Sequence, residues 1–201
     1  MSKNSVSTSN RGKVRALLAG GLVLGVGAAV VLAAWNDSEF ATGTFTAGTF
    51  NLQGSTDGAS YSDHTASPGA TLPFTLNPSN LAPGDTVYAP FAVRLAANTT
   101  TGSTVTVNTA TATGSVANLS YELIQPTSFG CSSSTTGAGL VPAGTALDGA
   151  LSNVTFTLDA GSPTSEPGGA VFLCFKVTAA GGLVQGQTGT ATWQFAAAST
   201  S

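Results

Sequence analysis

Residues 170–178 read AVFLCFKVT, and the reading of this stretch decides the fold. A strand with one wet face alternates apolar and polar side chains. Here the middle of the stretch is apolar at successive positions, so both of its faces need cover. That is the requirement of a central strand, and Val and Phe suit a pleated, packed surface.

Working outward, nothing after Asn36 has helical periodicity. The punctuation is Gly, Pro, Asn and Ser, and the segments between alternate with period two. Residues 86–97, TVYAPFAVRLAA, place Val87, Phe91, Val93 and Leu95 on one face, with Pro90 marking an edge or a bulge. Residues 103–111, STVTVNTAT, alternate through Val105 and Val107. Leu119, Tyr121 and Leu123 share a face, as do Val154, Phe156 and Leu158. Residues 190–197 bring in Trp193 and Phe195, and shorter strands are expected at 44–52 and 72–76. About eight strands with long Ser/Gly/Pro loops predict an all-β domain over residues 35–201. The expected form is a two-sheet antiparallel sandwich, jelly-roll in first place and immunoglobulin-like in second.

The N-terminal part has a different composition. Residues 1–15 contain Lys3, Arg11, Lys13 and Arg15, and residues 16–34, ALLAGGLVLGVGAAVVLAA, have no polar side chain. A basic region, an apolar core and small residues at its end predict a secretory signal helix over 1–34. The nineteen-residue core also approaches a membrane span, so an uncleaved anchor is the alternative. Ala33 and Ala34 before Trp35 supply the expected cut, on either side of Ala34.

Charge divides at the same place. All nine acids follow the apolar segment, and from Trp35 onward only Arg94 and Lys176 are basic, giving 2 − 9 = −7. Such a body has no means of neutralising a phosphate backbone, so no nucleic-acid partner is expected. Membrane contact is expected only through the signal segment. Cys131 and Cys174 are the only cysteines, and an even count in an exported chain predicts a disulfide.

Two stretches carry a family resemblance. One is AAWNDSEFATGTFTAGTFNL, leading out of the apolar segment. The other is LNPSNLAPGDTVYAPFAV, in which NLAPGD leads into a strand. Together, over about a fifth of the chain, they resemble the TasA/camelysin family of exported bacterial surface proteins. The resemblance implies cleavage by a SipW-type signal peptidase, a jelly-roll body and secretion to the cell surface or biofilm matrix. It also implies self-association, or association with other matrix proteins, in which the N-terminal strand of one subunit completes the sheet of the next. Phe40, Phe45, Phe50 and Leu52 match the donor segment as apolar anchors. The residues themselves also permit a plainer reading, in which 44–52 is the first strand of its own sandwich and 35–43 does any donating. The cysteine pair and the scarcity of lysine depart from the family pattern.

NLAPGD has a local cause as well. Pro83 presets the first central position of a type II turn, Gly84 permits the positive φ of the second, and Asp85 can cap it, so Asn80 to Asp85 is expected to be a structural corner. Catalysis is not expected. His64, in SYSDHTASPG, is the sole histidine, no HExxH or GxSxG accompanies it, and the glutamates Glu39, Glu122 and Glu166 sit in no motif. No cofactor is expected. A metallo-endopeptidase, known among camelysin-type relatives, is thus the weakest functional reading. The second reading is an adhesive or glycan-binding sandwich using loops 54–69 and 127–149.

Overall fold

The computed structural model describes residues 39–44, 46–75 and 81–200. The chain divides into two units, Met1–Phe45 and Thr46–Ser201. In the first, the described residues 39–44 are in neither strand nor helix and all are exposed. The signal segment 1–34, the cut at Ala33, Ala34 and Trp35, and Phe45 lie outside the described residues, as does Asn80 in the second unit.

The second unit is all-β. Its eight strands are β1 (Leu52–Ser55), β2 (Thr86–Leu95), β3 (Ser103–Gly114), β4 (Leu119–Gln125), β5 (Ala138–Ala146), β6 (Thr155–Leu158), β7 (Val171–Ala179) and β8 (Gly189–Ser199). They form two antiparallel sheets that pack together. One has five strands in the order β1-β2-β7-β4-β5, the other three in the order β6-β3-β8. The AVFLCFKVT stretch is β7, at the middle of the larger sheet, paired with β2 along eight residues and with β4 along six.

Its two faces do different work. Leu173, Phe175 and Val177 point into the core with Val87, Phe91, Val93 and Leu95 of β2 and Tyr121 and Leu123 of β4. From the smaller sheet come Val105, Val107, Phe156 and Leu158. Aromatic rings bridge the sheets: Phe175 to Trp193 at 4.7 Å, Phe91 to Phe195 at 5.7 Å and Tyr121 to Trp193 at 5.5 Å between centroids. Each such buried side chain contributes about 2 kcal/mol relative to exposure. On the outer face of β7, Cys174 is fully buried and bonded to Cys131, with Cα atoms 5.1 Å apart. The disulfide straps the β4–β5 connection across the outside of the sheet, which explains why this strand is apolar on both sides.

The described part of NLAPGD, residues 81–85, turns as its residues dictate. Gly84 has φ +93°, the Asp85 N–H donates to the Ala82 carbonyl at 3.0 Å, and the Asp85 carboxylate accepts the Ala82 N–H at 2.8 Å. The turn starts β2 in register, since the Ala179 N–H donates to the Asp85 carbonyl.

Two expected strands differ. Among the described residues of 44–52 only Leu52 enters a ladder; in the sequence Phe45 and Phe50 are spaced by five, so their rings would fall on opposite faces of an extended chain. What precedes Leu52 is a single parallel bridge from Thr49 to Thr99. Phe50 remains 40% exposed, while Leu52 packs on the core as the first residue of β1. At 72–75 there is no strand, although Leu72 and Phe74 pack against the core. In their place the structure has β5, which carries Pro142 and two register shifts against β4.

Candidate functional site

The loops suggested as a binding surface turn out to be tied to each other. In the first, Asp57 accepts the N–H groups of Ala59 (2.9 Å) and Ser60 (2.7 Å) and the Ser55 hydroxyl (2.8 Å). These bonds, that from Ala59 first, hold its carboxyl well below the usual carboxylate range. Gly58 follows with φ +74°, and a Cβ placed there would stand 2.5 Å from the Phe129 ring of the second loop. Phe129 in turn meets Phe172 of β7 edge-on at 6.0 Å. Gly58→Val is therefore expected to separate the loops and to lower stability by about 2 kcal/mol, from strain at positive φ and the lost ring contact. A urea titration of the variant measures it.

The two cations of the body are engaged as well. Lys176 donates to the Thr135 carbonyl at 2.9 Å and lies 3.4 Å from the Glu122 carboxylate, its cross-strand neighbour. The Arg94 guanidinium stacks 3.9 Å over the Tyr61 ring. His64 lies 3.3 Å from the Ser62 hydroxyl, and Asp63 accepts from the Asn51 amide. Among the described residues there is no group of three His, Cys, Asp or Glu side chains placed to hold a metal ion. A shallow open depression between Thr127, Ala138 and Phe172 is lined by no charged side chain.

The sheet edges differ sharply from one another. An exposed strand edge offers unpaired N–H and C=O groups, and folded proteins blunt such edges with short strands, bulges, proline or charge. β1 has four residues, and Gly54 on its outer side exchanges two 3.0 Å bonds with Ser62. β5 has Pro142 and the register shifts. β6 has four residues. β8 is long, and the one register shift in its ladder, between Asn108 and Thr111, places the extra residue on β3. Its eleven residues, GTATWQFAAAS, contain no proline and no charge, and among the described residues it pairs with β3 alone. Ala191, Trp193, Phe195 and Ala197 face inward against the core yet stay only half-buried, since among the described residues no strand flanks them on the outer side. Phe175, with strands on both sides, is fully buried. The β8 edge is thus both a row of hydrogen-bonding groups and the rim of an uncovered apolar surface.

Of the residues singled out in the sequence, Cys131 and Cys174 are joined, Pro83, Gly84 and Asp85 make their corner, and Leu52 lies in β1. Phe40 is 91% exposed in its own unit. The β8 edge was missed. Its lack of charge was visible, but its edge position depends on which distant strands pair. Comparison with known proteins finds no family model that matches the chain and no curated protein that matches it. Among the described residues no helix is long and apolar enough to cross a membrane.

Proposed function

We propose that this chain is an exported structural protein of a bacterial surface or matrix, and that it assembles head to tail by strand donation. The released N-terminal segment of one copy adds to the β8 edge of the next. The observation that carries the reading is the long β8 edge, free of proline and charge, beside half-covered Trp193 and Phe195. Strand addition would supply both missing components, main-chain bonds and apolar cover.

The pairing order supports the same reading. β1-β2-β7-β4 and β3-β8 have the neighbour relations of strands A-B-E-D and C-F in an immunoglobulin-like sandwich. We therefore favour that topology over a jelly-roll, with β5 and β6 as additions. In it the place beside β8 belongs to the last strand, G, and no described strand fills it. Residues 35–43, nine residues spanning about 30 Å when extended, are long enough to do so. Donor and acceptor are different surfaces of one chain, so the contact is heterologous, and where its rotation does not close into a ring it propagates as an open filament. A disulfide fits an oxidising compartment outside the cytoplasm. Removal of 1–34 by a SipW-type peptidase, as the family resemblance suggests, would free the donor end and so license assembly.

The test is microscopy of the secreted protein together with sequencing of its N-terminus. The expected results are filaments and a first residue of Ala34 or Trp35. Deletion of residues 35–43, and separately Ala196→Lys with Ala198→Lys on the β8 edge, are each expected to abolish filaments with thermal stability unchanged. Filaments of undiminished length from the lysine variant would sink the acceptor assignment. An N-terminus still carrying residues 1–34 would sink the release step.

A further inference from the structure

The outer face of the smaller sheet is the other surface without an evident use. On β3, Val105 and Val107 are buried and Ala112 packs inward, so Thr104, Thr106, Asn108, Thr111 and Thr113 face out. β6 adds Thr155 and Thr157, both exposed. β8 adds Thr190, Gln194 and Ala196, also exposed. None of the nine acids and neither body cation lies in these three strands. Four polar groups of this face bond in pairs: Asn108 donates to Gln194 at 2.9 Å, and the Thr113 and Thr190 hydroxyls are 2.6 Å apart. Threonine methyls and alanines are then left to make contact.

We infer that this face is a self-association surface that joins filaments side by side, the same face of a second copy being its partner. The inference rests on the head-to-tail polymer proposed above. Charge selects the partner. A body of net −7 repels its own copies least where a patch is free of charge, and this face is such a patch. Desolvation is eased at Asn108, Gln194, Thr113 and Thr190, whose side chains keep a bond within the sheet. Area sets the conditions. Three strands spaced about 4.8 Å apart and at most about 37 Å long present roughly 400 Å² per copy. A stable pair in solution needs about 800 Å² on each side. Isolated copies therefore stay apart on this face, whereas a row of copies held in register along a filament multiplies the contact.

The experiment compares the mature protein with Thr106→Glu/Thr111→Glu, whose changes lie on the outer face of the central strand β3 and leave the β8 edge intact. Wild-type filaments are expected to lie in lateral bundles, more extensively as salt screens the body. The glutamate variant is expected to give single filaments of the same length. Mixing it with filaments of Thr106→Lys/Thr111→Lys is expected to restore bundling, which damage to the fold would not do. Beads densely coated with the mature protein through its C-terminus replace the filament as an array, and should clump with the wild type and disperse with the glutamate variant. Clumping beads without any filaments would refute strand donation but keep this face. Filaments or beads that associate equally with and without the glutamates would overturn it.

Discussion

Phe175→Ala is expected to lower the free energy of unfolding by about 4 kcal/mol, the range for deleting a buried aromatic ring from a packed core. Phe175 is fully buried on the central strand β7, between Ala89 of β2 and Leu123 of β4 in register. Its ring is 4.7 Å from Trp193 and 6.4 Å from Phe195, so it is the main support of the inner face of β8. The cavity has no easy means of collapse, because the strands on either side are fixed by their ladders. A domain of ordinary stability has about 5–15 kcal/mol in total, so this one change removes a large share. Urea denaturation of wild type and variant at equal m-value measures it. Phe40→Ala is the contrast. At 91% exposure the ring supports nothing in its own unit, and the expected change is within about 0.5 kcal/mol. A loss of several kcal/mol at Phe40 and none at Phe175 would overturn the core assignment.

The same two phenylalanines show which parts of the structure could be read from sequence. Strand alternation is a local signal, and where both faces of a strand have definite fates it is strong. β2, β3, β4, β6, β7 and β8 were all visible in this way, and β7 even announced its central place. β5 was invisible because AGLVPAGTA has the composition of a loop. Its Gly139, Pro142 and Gly144 are tolerated on an edge strand with register shifts, where only Val141 is buried. The 44–52 run gave the opposite error: it has strand-forming residues but a five-residue aromatic spacing that no single face can bury. The disulfide and the NLAPGD corner were foreseeable because each needs only a pair of residues or one short motif. The candidate site was not, because an edge is a property of pairing order. Nothing within GTATWQFAAAS distinguishes a strand flanked on both sides from one flanked on one. The half-burial of Trp193 and Phe195 reveals it, and that is visible only once β3 and β7 are in place.

Breaking the strap should cost about as much as emptying the core. Cys131→Ser with Cys174→Ala is expected to lower stability by about 4 kcal/mol, through the entropy returned to the unfolded chain when a loop with a sequence separation of 43 is opened. Alanine is the choice at 174 because the site is fully buried on the outer face of β7, where a serine hydroxyl would lack solvent. For a domain of this length the loss corresponds to a fall in melting temperature of roughly 10 °C. The loss should be thermodynamic rather than topological. Without the bond, the strap keeps the Lys176–Thr135 hydrogen bond, the Phe129–Phe172 contact and the seat of Phe129 on Gly58. The variant is therefore expected to fold to the same sheets, to match the wild type assayed under reducing conditions, and to leave the β8 edge untouched. Calorimetry of the variant, and of the wild type with and without reductant, separates the outcomes. A melting temperature within 2 °C of the oxidised wild type would show that non-covalent contacts alone hold the strap, and that the disulfide is not what stabilises the outer face of the larger sheet.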